Sequence, residues 1–182
     1  MKVYLIAFFL LLSLDVFSQS TTWKVLAEES TISYSAKHVL HAWKGINNKI
    51  LGLAVINATE KQLDQMAILV NVRNFYSNNS SRDAHALEVL DALQYPQVKF
   101  YSEEVNLTEN SYSLKGTLDF HGVKAPLEVA GSAQWTTGKL KLSGNFDLQP
   151  TAFKIELPSF MMIPMEDELK FAFELTFKAE KE

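Results

Sequence analysis

The sequence predicts an all-β domain, a barrel, with one short helix. Three observations support this: apolar and polar residues alternate over most of the chain, turn-forming pairs separate the alternating segments, and glycines interrupt three of them. Alternation with period two places every second side chain on one face of a strand. Seven or eight such strands with short connections pair as antiparallel neighbours in a sandwich or a barrel. Gly116, Gly131 and Gly144 stand at mid-strand positions typical of strongly bent strands, which favours the barrel.

The N-terminal segment, residues 1–18, is typical of a secretory signal peptide. Lys2 precedes an apolar run from Val3 to Leu14, and the small residue Ser18 marks the predicted cleavage site. The run is shorter than the roughly 20 apolar residues of a membrane-spanning helix. We therefore expect an exported, soluble protein, periplasmic or secreted, with one folded domain at residues 19–182. A membrane-anchoring N-terminus is the alternative.

The composition argues against several kinds of partner and crosslink. A formal net charge of −4 disfavours nucleic acid or an anionic membrane surface as the main partner. The chain contains no cysteine, so it can use neither disulfides nor a lipid anchor attached to cysteine. Burial of apolar side chains must therefore stabilise the domain.

The alternating segments can be located in chain order. The apolar members of the first two segments are Ile32, Tyr34 and Ala36, and Leu51, Leu53 and Val55. The other alternating segments span residues 66–72, 98–107, 112–120, 127–135, 140–148 and 169–177. Turn signals lie at Glu109-Asn110, His121-Gly122 and Thr137-Gly138. Residues 45–48, Gly-Ile-Asn-Asn, are interpreted as a break between strands.

Residues 83–93 depart from the alternation and predict the helix. Leu87 and Leu90 lie three apart and form an apolar stripe with Ala84 and Leu93. Ser80 or Ser81 is the expected N-cap, because its side-chain oxygen can accept a hydrogen bond from a free backbone N–H. Pro96 ends any helix by forcing the preceding residue into extended geometry. A helix of this length between strands is expected to cover a sheet or the mouth of a barrel.

Arg82, Asp83 and His85 gather at the start of this helix and are candidate polar contacts for a ligand. A guanidinium group suits a carboxylate or phosphate, and the free N–H groups of a helix start also favour an anion. The alternative is that Arg82 pairs with Asp83 or with a loop carbonyl and only locks the segment. Because structural ion pairs are common, this alternative is the one we favour.

His38, His41 and His85 raise the hypothesis of a metal site, since the spacing of the first two suits metal ligation. Each of these histidines stands beside a turn or a strand end, where a hydrogen bond to the backbone explains it, so we predict no metal. The sequence has neither a Gly-x-Ser-x-Gly elbow nor a nucleophilic cysteine, and we expect no enzymatic activity.

An apolar segment at residues 160–165 contains Met161 and Met162. Pro158 and Pro164 should keep it out of a regular central strand. Methionine side chains adapt to irregular apolar shapes. Two interpretations stay open: the segment lines or gates an apolar opening, or it is an arm packed over the core.

Three motifs together resemble the YceI-like family of exported lipid-binding proteins: Ser-Ser-Arg-Asp-Ala-His at 80–85, the Tyr-Pro segment at 94–100, and residues 116–127 with Gly-Val-x-x-Pro. Trp23 and His38 agree in order. The resemblance implies a lipocalin-like antiparallel barrel of eight strands and an apolar cavity for a polyisoprenoid or similar long-chain amphiphile. It implies no enzyme. The family usually has a Gly-containing segment near the C-terminus, where this chain has residues 147–150 and the methionine-rich segment.

The resemblance completes the main hypothesis, an exported carrier or scavenger without a cofactor other than a bound isoprenoid lipid or quinone-like molecule. Its polar mouth is expected to consist of Arg82, Asp83, His85 and His38, and its apolar wall to include Leu118, Phe120, Leu142, Phe171, Phe173, Phe177, Met161 and Met162. The alternative is a filled barrel that serves as a structural or stress-related interaction module, because alternation is the same in a hollow and a filled barrel. Both a monomer and a homodimer fit the sequence.

Overall fold

A computed structural model describes residues 20–179, which form twelve strands, one α-helix and three 3-10 helices. The predicted signal peptide at residues 1–18 lies outside the described residues. The strands are β1 (Thr21–Val25), β2 (Thr31–His38), β3 (His41–Asn47), β4 (Ile50–Asn57), β5 (Gln62–Asn71), β6 (Gln97–Leu107), β7 (Ser111–Phe120), β8 (Val123–Thr136), β9 (Lys139–Leu148), β10 (Ser159–Phe160), β11 (Ile163–Pro164) and β12 (Leu169–Ala179). The helix α1 is Ser80–Val89, and the 3-10 helices are Ala27–Glu29, Val72–Asn74 and Pro150–Phe153.

Eight of these strands close into an antiparallel barrel. Their order around the barrel is β1, β4, β5, β6, β7, β8, β9 and β12, and the pairing of β12 with β1 joins the two ends. At this seam Trp23 faces Ala179, and Val25 faces Phe177. The predicted all-β fold with eight barrel strands is confirmed, as is the choice of a barrel over a sandwich.

One edge of β12 has two partners in succession. Its residues 177–179 pair with β1, whereas residues 170–174 pair with β2. The 3-10 helix Ala27–Glu29 separates the two partners. The backbone N–H of Thr176 donates to the hydroxyl of Ser30 at 3.0 Å, which fixes the chain where it passes from β1 to β2.

The strands β2 and β3 form a hairpin that extends the sheet at the edge of the barrel. The prediction of a break at residues 45–48 was wrong, because β3 continues to Asn47 and only Asn48 and Lys49 connect it to β4. Gly45 serves a close approach instead of a turn: a Cβ atom there would collide with the ring of Tyr34. Backbone hydrogen bonds of 2.9 and 3.0 Å between Ile46 and Tyr76 join β3 to the segment before α1.

The interior of the barrel is filled at one end. The buried side chains there include Trp23, Leu63, Tyr112, Ala133, Leu140, Leu142 and Phe177. The rings of Trp23 and Trp135 meet edge to face with centroids 6.1 Å apart. Gly131 and Gly144 make room for Tyr112, since Cβ atoms on them would lie 2.9 and 2.7 Å from its hydroxyl oxygen. The mid-strand glycines of β8 and β9 therefore allow an aromatic ring to fill this end.

The helix α1 begins and ends earlier than predicted. Its N-cap is Asn79, whose side-chain oxygen accepts a 3.0 Å hydrogen bond from the backbone N–H of Arg82, and the predicted caps Ser80 and Ser81 lie inside the helix. Asp91 adopts a positive φ of 40° just beyond the helix, a conformation that short polar side chains tolerate. Leu93 therefore leaves the predicted stripe and is exposed. No helix within residues 20–179 is long and apolar enough to cross a bilayer.

Candidate functional site

The other end of the barrel contains a cavity with a predominantly apolar wall. The cavity has a volume of about 230 Å³ and opens to solvent on one side. Leu114, Val129 and Leu175 form its floor, next to the filled end. The interior is thus filled only beyond this floor, which does not agree with the alternative of a completely filled barrel.

The structure divides the predicted wall residues into two groups on the barrel strands. Leu118, Phe120, Phe171 and Phe173 line the cavity. Leu142 and Phe177 do not line it, because they lie below the floor and are completely buried in the filled end. Both groups face inward, so alternation assigned the correct face but not the depth along the barrel.

Met161 and Met162 lie on neither group of strands. They form the turn of the β10–β11 hairpin and are mostly exposed, Met162 to 96%. The base of the same arm does line the cavity, through Leu157, Pro158 and Met165. The prediction of a wall position for the two methionines therefore does not fit the structure, because the chain turns into solvent between Phe160 and Ile163.

Helix α1 lies over the mouth of the cavity as a lid. Ala86, Leu87 and Val89 of this helix and the following residue Leu90 line the cavity, yet no residue of the helix is buried. On one side the helix faces the cavity, and at its C-terminal end Val89 packs against the apolar core. At its N-terminal end, polar bonds hold the lid.

Ser77 connects Arg82 and Asp83, which both line the mouth. The carboxylate of Asp83 accepts hydrogen bonds from the backbone N–H of Ser77 at 3.0 Å and from its hydroxyl at 2.6 Å. Arg82 donates to the same hydroxyl at 3.3 Å, and its guanidinium carbon lies 5.5 Å from the ring centroid of Trp43. These contacts match the interpretation that the cluster locks the segment. The guanidinium also makes a cation–π contact with the Trp43 ring beside the cavity.

Two further polar side chains border the mouth. Tyr34 lines it, and burial raises the pKa of its phenol, although a hydrogen bond with Trp43 acts in the opposite direction. The phenol is therefore neutral at physiological pH. His85 is exposed at the mouth, with Nδ1 3.4 Å from a carboxylate oxygen of Glu88.

His38 lies outside the cavity wall, buried between two hairpins. Its Nδ1 accepts a hydrogen bond from the backbone N–H of Leu40 at 3.3 Å, and its Nε2 lies 2.9 Å from the carbonyl oxygen of Ile163. Since a carbonyl only accepts, Nε2 carries the proton. The structure thus places His38 in the framework of the mouth, where it connects β2–β3 to β10–β11.

The residues of the metal hypothesis are not arranged as a site. Among the side chains of residues 20–179, no group of three or more His, Asp or Glu could hold a metal ion. The rings of His38 and His41 have centroids 5.8 Å apart, but both nitrogens of His38 already have hydrogen-bond partners.

Replacing Asp83 with Ala should loosen the lid, because it leaves the backbone N–H of Ser77 without its acceptor. Hydrogen bonds to charged groups contribute about 1.5–3 kcal/mol, and since Asp83 is only half-buried we expect a loss of roughly 1–2 kcal/mol in local opening free energy. Amide hydrogen exchange over residues 77–90 should accelerate by about tenfold. Glu88→Ala, which removes an exposed carboxylate from the same helix, is the control. Equal exchange in the two variants would contradict this role of Asp83.

The comparisons with solved structures agree with this barrel. BcnA of Burkholderia cenocepacia superposes with a TM-score of 0.74 at 18% identity, over 84% of this chain and 98% of that chain. A polyisoprenoid binding domain from Saccharophagus degradans, implicated in plant cell wall breakdown, gives 0.68 at 11% identity, over 87% and 98%. The YceI protein of Campylobacter jejuni gives 0.65 at 16% identity, over 76% and 85%. At these identities the likeness shows a shared fold.

The comparison with protein families covers nearly the whole described barrel. No curated protein sequence matched the chain. The model of the YceI-like domain matches residues 23–177, from the first barrel strand β1 to the last, β12. The chain therefore belongs to the YceI-like family.

Proposed function

We propose that this protein is an exported, non-enzymatic binding protein that holds a polyisoprenoid or a similar long-chain amphiphile in its barrel. The observation that carries the proposal is the apolar cavity, which opens under α1 and ends on a floor of Leu114, Val129 and Leu175. The predicted signal peptide at residues 1–18 and the family support export to the periplasm or the medium. The shared fold with the polyisoprenoid binding domain from Saccharophagus degradans supports the ligand class.

A long apolar ligand suits this cavity better than a small polar one. Burial of a dozen methylene groups gives roughly 10 kcal/mol at about 0.8 kcal/mol each. Association itself costs roughly 4–15 kcal/mol, so a shorter chain would need strong polar contacts. The wall offers few such contacts, and binding must therefore come mainly from the length of the apolar chain. An isoprenoid lipid or the tail of a quinone-like molecule meets this requirement.

The polar end of the ligand would lie at the mouth. Arg82 and His85 border the cavity there and offer donors to a headgroup. Asp83 would act indirectly, because its carboxylate already accepts the two hydrogen bonds from Ser77. His38 would likewise support the mouth through its bond to Ile163. The headgroup contact is thus expected to be loose and to tolerate different headgroups.

The direct test is the lipid content of the purified protein. The chain is exported into the periplasm of a bacterium that makes isoprenoid lipids, purified without detergent, and extracted with organic solvent for mass spectrometry. We expect an isoprenoid lipid that is absent from a parallel purification of cells without the protein. A protein that carries no lipid, and that also takes up none from added polyprenol in a gel-filtration assay, would refute the proposal.

A further inference from the structure

Two hairpin turns at the mouth of the cavity expose apolar side chains. Val39 and Leu40 form the turn of β2–β3, and Met161 and Met162 form the turn of β10–β11. The second turn is flanked by two more exposed apolar residues. We call this set the apolar rim; its members are Val39, Leu40, Phe160, Met161, Met162 and Ile163, with exposures from 44% to 96%.

The two turns are fixed side by side by His38. Its Nε2 bonds to the carbonyl oxygen of Ile163 at 2.9 Å, and its ring lies 6.3 Å from the ring of Phe160. Below this contact, the backbone N–H of Glu166 donates to the carbonyl oxygen of Lys37 at 2.9 Å. The apolar rim is therefore one surface built from two hairpins.

The apolar rim stands on the elements that wall the cavity. Tyr34 and Ala36 of β2 line the cavity below the first turn, and Leu157, Pro158 and Met165 line it below the second. Exposed apolar surface at the tips thus continues into the apolar wall. An apolar chain that enters or leaves the barrel on this side passes the rim.

The backbone of the second turn indicates that its side chains serve a purpose outside the fold. Met161 and Met162 both have positive φ, 52° and 63°, a conformation that favours glycine or asparagine in two-residue turns. The β7–β8 turn combines His121 at 51° with Gly122 at 73°, and the β8–β9 turn has Gly138 at 72°, so each of these turns contains a glycine, whereas the second turn of the apolar rim contains none. Two methionines in this place are strained and exposed, so neither turn geometry nor core packing explains them.

We propose that the apolar rim docks the protein on a lipid bilayer, with the mouth of the cavity facing the lipid. This rests on the proposed function, because a long apolar chain dissolves poorly in water and is stored in membranes. The segments 38–43 and 158–165 contain no Asp, Glu, Lys or Arg, so their tips can enter the apolar part of the interface without burying a charge. Two narrow tips suit a deformable lipid surface better than the roughly 800 Å² per partner of a stable protein interface.

Docking is expected to depend on insertion and not on charge. The chain has a net charge of −4, which disfavours attraction to anionic lipid. Binding to neutral phosphatidylcholine vesicles should therefore be measurable and should change little between low and high salt. An electrostatic contact would weaken over the same range.

Co-sedimentation with sucrose-loaded phosphatidylcholine vesicles tests the proposal with a matched pair of variants. Leu40 in the apolar rim and Leu51 on the outer face of β4 have nearly the same exposure, 62% and 63%. Leu40→Ser combined with Met162→Ser should lower the partition coefficient about tenfold or more, because burial of each apolar side chain is worth about that factor. Leu51→Ser should bind as the unchanged protein does. Equal melting temperatures of all three proteins show that the substitutions act on docking and not on folding.

The lipid content of each protein separates failure of docking from failure of the proposed function. A rim variant that carries its lipid but no longer sediments with vesicles supports docking. If the unchanged protein carries lipid yet sediments no better than the rim variant, docking is overturned and the carrier function stands. Vesicle binding that needs the apolar rim in a protein without lipid supports docking and counts against the carrier. Binding that appears only after membrane proteins are added to the vesicles overturns docking in favour of a protein partner.

Discussion

Replacement of Phe177 by Ala is expected to lower the free energy of unfolding by about 3–5 kcal/mol, the usual cost of removing a buried aromatic ring. For a domain of this size that corresponds to a fall in Tm of roughly 6–20 °C. Phe177 is 0% exposed and pairs with Val25 of β1 and Leu140 of β9, at the seam that closes the barrel. Its removal would leave a void between three strands that cannot collapse independently.

Phe173→Ala is the matched control for this prediction. Phe173 faces inward from the same strand and lies two inward-facing positions nearer the mouth. Unlike Phe177, it lines the cavity and is only half-buried. Part of its surface already faces empty space, so its removal forfeits fewer contacts, and we expect a loss of about 1–2 kcal/mol. Urea or thermal unfolding of the two variants measures the difference. Equal losses would contradict the division of the barrel into a filled and a hollow end.

This pair of phenylalanines illustrates what alternation can and cannot predict. Period two identified the inward face of β12, because side-chain direction follows from the local backbone alone. The depth at which an inward side chain meets the floor depends on where β12 leaves β2 and pairs with β1. That arrangement depends on residues far apart in sequence, so Phe173 and Phe177 look equivalent until the barrel is closed.

Local signals misled where one residue type serves two purposes. The sequence pattern predicts a break at Gly45, but this residue lies inside β3 because the Tyr34 ring occupies the space of a side chain. A glycine that permits close approach and a glycine that permits a turn are indistinguishable in sequence. The same ambiguity affected the helix start, where Asn79 and not one of the two following serines is the cap.

The polar cluster was predictable as a group but not in its contacts. Arg82 and Asp83 stand together in sequence, yet what connects them is Ser77, which lies before the helix and gave no signal of its own. The contact of Arg82 with Trp43 joins segments that are distant in sequence, and only the closed sheet brings them together. The functional and structural interpretations of the cluster therefore turn out to be compatible: the same bonds that hold the lid also place a guanidinium at the mouth.

Ala36→Phe should strongly weaken lipid binding while destabilising the protein only slightly. Ala36 is buried on β2 and lines the cavity, so a ring added there enters existing space. We expect the free energy of unfolding to fall by no more than about 1 kcal/mol, because the added ring can extend from β2 into the cavity. Lipid recovered by solvent extraction should fall by about tenfold or more, because the ring takes the place of several methylene groups of the ligand.

Ala133→Phe provides the contrast, because Ala133 is equally buried but lies in the filled end. The added ring should overpack that region and cost about 1–3 kcal/mol, while any protein that folds keeps its cavity and its lipid. If Ala36→Phe destabilises the protein as much as Ala133→Phe does, the barrel has no room for a ring, and the carrier function fails with it. If Ala36→Phe is stable and still carries lipid as before, the lipid lies outside the cavity, and the wall residues of the hollow end lose their proposed role.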